Sequence, residues 1–462
     1  MDLFEQNPIV EQPIISDAAT RQARDRAFSI CKALAIVCVV ISHSGAPSFL
    51  THFVFQFHVP VFFLCAGYFF KEKYASNWAD FVGKKFNRLY LPFLRWSLFF
   101  LIVHNLWFYT GFLNTTYGNA EGGVLAYYSW HIFSQRVWCI IFNMSGYDEF
   151  FAGSFWFFRA LFIASLLFLL CYKLFERISK SLRLSESPIG IGLAIAVTFL
   201  LLGLWQSVEH LTMTGVAQGG FREVQAVLLM ALGFVFSKYE LAEQQVHRYV
   251  FKLNFPVAAV CLLYLLVSAW YYPTSMGFRA NLLQWICLPV AGVAGFFMLL
   301  WLSRLIDNKG WGWLADSLAY IGDRTLYIFA FHLLAFRVVS VLKVWILGLP
   351  WKMVGCHTVV HVGEGTDLFF ILYIIAGVGL PLLWLAGYRK LVDKYDLHIN
   401  WAKVFNKTVG NQVIKIVVSV VSFICRWIWI IIRVGSQWLW SSIKSVLKSI
   451  KQIVAASNVR EE

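Results

Sequence analysis

Charged residues are scarce in this chain. They account for 14% of its 462 residues, whereas 59% are hydrophobic and 18% are aromatic. A soluble protein needs a larger charged fraction, because most of its surface faces water. The composition therefore excludes an ordinary soluble domain and predicts an integral membrane protein.

Several common functional patterns are also missing. Residues 1–26 are polar and lack the apolar core and the small-residue cleavage site of a signal peptide. The nine cysteines show no C-x-x-C or Cys/His spacing typical of a metal site. The chain has no G-x-S-x-G, no H-E-x-x-H and no glycine-rich phosphate loop. We therefore expect neither a bound metal nor a bound cofactor.

The basic character of the chain does not indicate nucleic-acid binding. Its formal net charge is +14. The Lys and Arg residues lie between the apolar segments and in the C-terminal tail, where membrane proteins usually carry them. We expect no nucleic-acid partner.

Long apolar runs dominate the sequence. A helix needs about 20 residues to span a membrane, and ten runs of suitable length are present. They cover residues 29–48, 53–70, 89–112, 154–174, 189–206, 222–238, 252–271, 282–303, 318–345 and 367–387. These runs predict an all-α, polytopic membrane protein with about ten transmembrane helices.

The predicted loops carry Lys and Arg unevenly. If the N-terminus is inside, the internal loops hold fourteen of these residues and the external loops hold three. This bias follows the positive-inside rule, and it predicts that both termini lie in the cytoplasm. The apolar segment 124–144 contains His131, Gln135 and Arg136. We expect a partly buried external hairpin or an interfacial helix there, because another span would break the charge pattern.

The chain changes character near its C-terminal end. We divide it into a polar cytoplasmic N-terminus (1–27), a membrane domain (28–395) and a basic cytoplasmic tail (396–462). In the tail, six cations fall within a sector of about 60° if a helix turns by ~100° per residue. They are Lys415, Arg426, Arg433, Lys444, Lys448 and Lys451. The pattern predicts an amphipathic helix that binds anionic lipid head groups. An eleventh span through residues 413–432 is the alternative.

Polar groups inside a membrane are costly, so each one is a candidate for function. His43 lies 15 residues beyond Phe28 in the first span, which is about 22 Å along a helix. His58 lies near the outer start of the second span, and His332 lies 14 residues into the ninth. The three histidines share one depth. They predict a proton-transfer site near the outer face if the helices touch, and three unrelated structural histidines are the alternative.

Cations mark both ends of the predicted spans. Lys32 is at the cytoplasmic end of the first span, and Lys85 and Arg88 are at the entrance to the third. Each alone fits a positive-inside anchor, but together they could form a cationic entrance for a phosphate-bearing ligand. Arg159 opens the fourth span and could bind a carboxylate or a sugar hydroxyl. Arg95, inside the third span, could equally stabilise the bundle.

Five segments stand in a characteristic order along the chain. They are "RDRAFSICKALAIVCVVISHS", "FHVPVFFLCAGYFF", "FVGKKFNRLYLPF", "FWFFRALF" and "RTLYIFAFHLLAF". In this order and at these separations they resemble the membrane-bound acyltransferase 3 family of bacterial O-acyltransferases. The resemblance extends from residue 26 to about residue 395.

The resemblance implies a ten-helix domain that takes an acyl group from cytoplasmic acyl-CoA and delivers it to a sugar hydroxyl on the outer side. In that family, an arginine stands eleven residues before an essential histidine, and an R-x-x-R pair opens the third helix. His43 and Arg88 match this pattern. Lys32 and Lys85 stand where arginines are usual, and Ser29 stands where an aspartate is common. The lysines keep the charge but not the bidentate phosphate geometry of arginine.

These observations give one working hypothesis, an integral-membrane O-acyltransferase. Lys32, Lys85 and Arg88 would bind the phosphates of acyl-CoA. His43 would take the proton of the acceptor hydroxyl during its attack on the thioester, directly or through an acyl-histidine. Four residues would line the acceptor pocket for the carbohydrate: His58, Trp156, Arg159 and His332. A transporter or flippase for a lipid-linked glycan is the main alternative, and a non-enzymatic sensor is the other.

Overall fold

The computed structural model describes residues 14–117, 127–148, 150–182, 187–212, 217–246, 253–276, 281–308, 311–359 and 367–394. The predicted basic helix of the tail (396–462) and the alternative eleventh span (413–432) lie outside the described residues.

Every regular element in the described residues is a helix, which confirms the all-α prediction. The helices are α1 (Ile14–His43), α2 (Ser48–Phe55), α3 (Pro60–Tyr68), α4 (Lys73–Ser76), α5 (Trp78–Lys85), α6 (Leu91–Tyr109), α7 (Trp130–Asn143), α8 (Trp156–Ser181), α9 (Pro188–Val208), α10 (Phe221–Val246), α11 (Phe255–Tyr271), α12 (Leu282–Asn308), α13 (Gly312–Gly322), α14 (Thr325–Ile346) and α15 (Phe369–Lys394). A π-helical turn (Phe86–Tyr90) joins α5 to α6.

Eight helical segments of the described residues are long and apolar enough to cross a membrane. They are Arg26–His43, Ser48–Tyr68, Trp78–Tyr109, Gly153–Ser181, Pro188–Val208, Leu282–Asn308, Thr325–Ile346 and Phe369–Leu391. The predicted spans at 222–238 and 252–271 coincide with α10 and α11, but α11 has only 17 residues. The chain is an integral, polytopic membrane protein, and the count of ten spans stays a prediction.

α1 begins earlier than the apolar pattern indicates. The first span was expected from residue 29, whereas the helix starts at Ile14. The intervening sequence AATRQARDRA contains neither Gly nor Pro and is rich in Ala, Arg and Gln, which are strong helix formers. The polar N-terminal segment predicted for residues 1–27 is therefore helical over its second half.

The second predicted span, 53–70, is two helices and not one. Residues 56–59 separate α2 from α3. Pro60 has no N–H, so it cannot continue the hydrogen-bond ladder of α2. The backbone N–H of His58 donates to the Val54 carbonyl over 3.0 Å. The break places His58 between two helix ends instead of inside a continuous helix.

The ninth predicted span, 318–345, is also two helices, because the chain bends at Asp323 and Arg324 between α13 and α14. Gly322 ends α13 against α1. A Cβ atom at Gly322 would lie 1.7 Å from the Ser29 carbonyl oxygen, so only glycine allows this approach. The hydroxyl of Ser29 donates a hydrogen bond to Asp323 over 2.7 Å.

α1 packs against six other helices of the described bundle, α2, α3, α12, α13, α14 and α15. A second close contact joins α3 to α10. A Cβ atom at Gly67 would lie 1.8 Å from the Met230 carbonyl oxygen, and one at Gly233 would lie 2.0 Å from that of Leu64. Small residues allow such close crossings in membrane proteins. This packing holds α3, which follows His58, beside the rest of the bundle.

The segment 124–144 contains α7. Its side chains Trp130, Trp138 and Phe142 are 80%, 62% and 61% exposed. Large exposed aromatic residues are typical of a helix at the membrane surface. Of the two structures expected here, the described residues form the helix.

Candidate active site

The three predicted histidines lie close together at the end of α1. His43 is the last residue of that helix, and its ring centroid is 5.4 Å from that of His332 on α14. The Phe55 ring links His43 to His58, with centroid distances of 6.3 Å and 5.2 Å. The three histidines therefore lie in one cluster, as the hypothesis required.

A fourth histidine belongs to the cluster and was missed. The ring centroid of His357 is 5.8 Å from that of His43, at an interplanar angle of 62°. His357 lies in the segment 351–359, which follows α14 and forms no predicted span. Its position in a predicted loop removed the signal that singled out the other three, namely a polar side chain inside an apolar run.

Two of the histidines have a fixed tautomer. The Nδ1 atom of His332 donates to the carbonyl oxygens of Ile328 (3.1 Å) and Phe329 (2.9 Å). The Nδ1 atom of His58 donates in the same way to Val54 (2.6 Å). Each Nε2 atom is then a lone-pair acceptor. In the described part of the chain the buried Nε2 atom of His332 has no partner, so it can accept a hydrogen bond from a bound hydroxyl.

The three cations expected to bind the donor line one cavity of about 370 Å³. Lys32 comes from α1, Lys85 from α5 and Arg88 from the π-helical turn. Turns of this kind are frequent at functional sites. No described carboxylate forms an ion pair with any of the three, whereas Lys84, also at this cavity, pairs with Asp80 over 2.6 Å. The unpaired positive charge suits an anionic ligand.

The cavity extends from the cations towards the histidines. Its apolar walls include Ile36, Phe157 and Phe329. Ile36 precedes His43 by seven residues, which is about 10 Å of helix. The carbonyl oxygen of Phe329 accepts the hydrogen bond from His332. The inner wall of the cavity and the histidine cluster therefore share a residue.

Trp156 and Arg159 form a separate group at the start of α8. The guanidinium group of Arg222 lies 4.2 Å above the Trp156 ring, and the Arg159 Nε atom is 3.5 Å from a carboxylate oxygen of Glu223. In the described part of the chain, no ring contact, hydrogen bond or ion pair joins this group to the four histidines. Of the four residues expected to line the acceptor pocket, His58 and His332 thus belong to the histidine cluster, and Trp156 and Arg159 belong to this second group.

Sequence reasoning missed Arg222 and Glu223, although a signal was available. Both open the predicted span 222–238, and charged residues at such positions are candidates for function. Arg95, which was also singled out, has an exposed side chain on α6. It lies in neither group and does not stabilise the bundle interior.

Ser29 replaces the aspartate that the resemblance leads one to expect. Its hydroxyl donates to Asp323, between α13 and α14. A carboxylate is therefore present next to this position, supplied by another part of the chain.

The arrangement combines two chemical environments at the two ends of one helix segment. Cations without an ion-pair partner among the described residues surround a cavity near Lys32, and imidazole rings surround His43. Cations of this kind bind phosphate, and imidazole is a suitable base near neutral pH. Such a pair of sites suits group transfer from a phosphate-bearing donor.

Comparison with known proteins identifies the chain at the level of its family. A family model described as an acyltransferase domain, Acyl_transf_3, matches residues 25–388. No curated protein and no solved structure matches the chain. The match covers most of the chain, including the cationic cavity and all four histidines. The chain therefore belongs to the acyltransferase 3 family and is a membrane acyltransferase.

Proposed function

We propose that the protein is an O-acyltransferase of the bacterial inner membrane with both termini in the cytoplasm. It moves an acyl group, which we take to be acetyl, from cytoplasmic acyl-CoA to a hydroxyl of an extracytoplasmic carbohydrate. The acceptor is a surface polysaccharide or a lipid-linked glycan. The transfer needs no bound cofactor, because acyl-CoA is itself the activated donor.

The position of Lys32 and His43 on α1 is the observation that carries this proposal. Eleven residues separate them, which corresponds to about 16 Å of α-helix. The cationic cavity lies at the first residue and the histidine cluster at the second. A CoA molecule bound by its phosphates at Lys32 can therefore extend its pantetheine arm towards His43.

The donor side of the mechanism uses the cavity cations. Lys32, Lys85 and Arg88 bind the CoA phosphates, and the aromatic walls exclude water from the arm. Because no carboxylate of the described residues pairs with these three cations, the cavity retains its positive potential, which attracts an anionic donor from the cytoplasm.

The acceptor side uses the histidine cluster. His43 reacts with the thioester, and the Nε2 atoms of His58 and His332 accept hydrogen bonds from the sugar. Trp156 and Arg159 bind a more distant part of the carbohydrate, since an aromatic face and a guanidinium group suit a sugar ring and its oxygens. The carbohydrate is the partner of this side, and the membrane lipids are the partner of the basic cytoplasmic tail.

Labelled acetyl-CoA supplied to membranes tests the proposal. The label should appear in glycan when the protein is present, and His43→Ala should abolish its incorporation. His52→Ala is the matched control, because His52 is an exposed histidine on α2, and it should leave incorporation unchanged. Full incorporation by the His43→Ala variant would refute the mechanism. Glycan movement across the membrane without any acylation would favour the transporter alternative.

The acceptor is identified in cells. O-acetylation of surface polysaccharide should be lost in a deletion strain and restored by the intact gene. Restoration by the His43→Ala variant would show that the acyl transfer does not occur at this site.

A further inference from the structure

We propose that His357 is a second catalytic residue, the base that takes the proton from the acceptor hydroxyl while His43 carries the acyl group. The inference rests on the proposed function, and it divides between two histidines the work that one was expected to do.

The first support is that the imidazole rings of His43 and His357 lie close together and have free nitrogens in the described part of the chain. The centroids of His43 and His357 are 5.8 Å apart. Among the described residues, no hydrogen-bond partner contacts either imidazole. His58 and His332 differ, because each commits its Nδ1 atom to a backbone carbonyl. Both ring nitrogens of His43 and His357 are therefore available to reacting groups, whereas His58 and His332 each offer only Nε2.

The second support is the side from which His357 approaches. The donor cavity includes Thr325 and Phe329, near the start of α14. The segment 351–359 follows the other end of that helix. His357 is therefore next to His43 but does not line the donor cavity, and we assign the space beside it to the acceptor.

The third support is the way in which α14 holds the segment. One terminal nitrogen of the Arg337 guanidinium donates to the carbonyl oxygens of Val354 and Cys356, and the other donates to that of His357 over 3.5 Å. The guanidinium also lies 4.6 Å above the Phe150 ring. One buried side chain therefore fixes the backbone at His357 and on its N-terminal side.

The C-terminal side of His357 is fixed as well. The backbone N–H of Val359 donates to the Tyr373 hydroxyl over 3.1 Å. The Lys343 ammonium group donates to the Val359 carbonyl oxygen and to Asp367. These bonds attach the segment to α14 and α15.

The start of the segment is attached to the residues that follow α6. The Trp351 indole N–H donates to the Thr110 carbonyl oxygen over 3.1 Å, and the Asn114 amide donates to that of Lys352 over 2.9 Å. A catalytic side chain must be held in place by its surroundings. Bonds to α14, to α15 and to the residues after α6 hold His357 in this way.

The reaction then proceeds in two balanced steps. In the first, a nitrogen of His43 attacks the thioester carbonyl carbon. The C–N bond forms, the C–S bond breaks, and the thiolate of CoA leaves with the proton of the other His43 nitrogen. The products are acyl-His43 and CoA thiol.

In the second step, His357 accepts the proton of the acceptor hydroxyl while the hydroxyl oxygen attacks the acyl carbon of acyl-His43. The C–O bond forms and the C–N bond breaks. The proton passes from His357 to the released His43 imidazole, so both histidines return to their starting state.

Two reactions separate the roles of the histidines. The first step alone exchanges acetyl groups between acetyl-CoA and isotopically labelled CoA, with no acceptor present. Both steps are needed for acetyl transfer to glycan. The full chain is assayed in detergent for exchange and in membranes for transfer. His357→Gln is the main variant, and His357→Ala is the second. Exchange and transfer are measured with whichever of these two His357 variants is extracted from the membrane as a monodisperse protein.

We expect the His357 variant to lose at least about 100-fold in transfer, which is the usual contribution of a general base. Its exchange rate should stay within about threefold of the wild-type rate, because a residue that acts only in the second step does not alter the first. His43→Gln should lose both reactions. His52→Gln should lose neither.

Three outcomes would overturn the inference: an equal fall of exchange and transfer in the His357 variant, near-normal transfer by that variant, or no exchange by the wild type. None of these outcomes contradicts the proposed function as long as the wild type still transfers acetyl from acetyl-CoA to glycan. Absence of that transfer would refute the proposed function itself.

Discussion

Thr358 lies against Gly45, two residues beyond His43. A Cβ atom at Gly45 would come within 2.9 Å of the Thr358 Oγ1 atom, and the φ angle of Gly45 is +72°. We expect Gly45→Ala to lower the free energy of unfolding by about 1–2 kcal/mol, the usual penalty for a left-handed L-residue. It should also lower acyl transfer, because the added methyl group pushes Thr358 and the neighbouring His357 away from His43. Thermal unfolding and the transfer assay measure the two effects.

Gly348→Ala is the matched control for this contact. Gly348 has a φ angle of +61°, and no atom lies within 4 Å of the Cβ position. Its alanine variant should lose similar stability but keep normal transfer. An equal loss of transfer in both variants would mean that the contact with Thr358 has no part in the site.

The lysine at position 32 gives a test of the donor cavity. Lys32→Met should raise the KM for acyl-CoA by about tenfold or more, since one charged hydrogen bond to phosphate contributes roughly 1.5–3 kcal/mol. Lys32→Arg should lower this KM below the wild-type value, because a guanidinium group binds phosphate with two parallel bonds. Initial rates at varied acyl-CoA concentration measure both constants.

Lys84 is the control for the cavity. It lines the same space, but its charge is already paired with Asp80. Lys84→Met should therefore change the KM for acyl-CoA less than Lys32→Met does. The reverse order would show that the phosphates do not bind at Lys32.

The spans could be predicted more fully than their interruptions. Hydropathy averaged over a window locates an apolar run, and the eight long segments follow those runs. The averaged hydropathy does not detect a break between two helices when the residues on both sides of the break are apolar. The bend after Gly322 depends on a backbone contact with Ser29, almost 300 residues away in sequence. Contacts of that range are absent from local patterns.

The residues of the candidate site could likewise be predicted only in part. His43, His58 and His332 were found because a polar residue within an apolar run is conspicuous. His357 was not, because it lies in a segment of mixed polarity. Its place beside His43 depends on hydrogen bonds from Arg337 and other distant side chains. Tertiary contacts bring His357 next to His43, and the local sequence around His357 does not indicate these contacts.

Arg337 should act as a positioning residue for the reaction. Arg337→Lys keeps the charge but cannot reach the carbonyl oxygens of Val354, Cys356 and His357 together. We expect kcat for transfer to fall by about tenfold or more, as for other misplaced catalytic groups. The KM for acyl-CoA should not change, because Arg337 does not line the donor cavity.

Arg95→Lys provides the comparison for this substitution. Arg95 is an exposed arginine on α6, so its replacement should change neither kcat nor KM. A rise in the KM for acyl-CoA in the Arg337 variant would place that residue on the donor side and contradict the assignment.

The stability of the protein should depend on pH through His357. Burial lowers the pKa of His357 well below its ordinary value of 6.5, and the nearby His43, Arg337 and His332 lower it further. As the pH falls through 6.5, the unfolded chain binds a proton at His357 that the folded protein does not bind. Unfolding then takes up a proton, so the folded state loses stability on acidification. The fall in the thermal-unfolding midpoint between about pH 7.5 and about pH 5.5 should be smaller for His357→Gln than for the wild type. The same fall in both proteins would show that His357 does not stay neutral in the folded state.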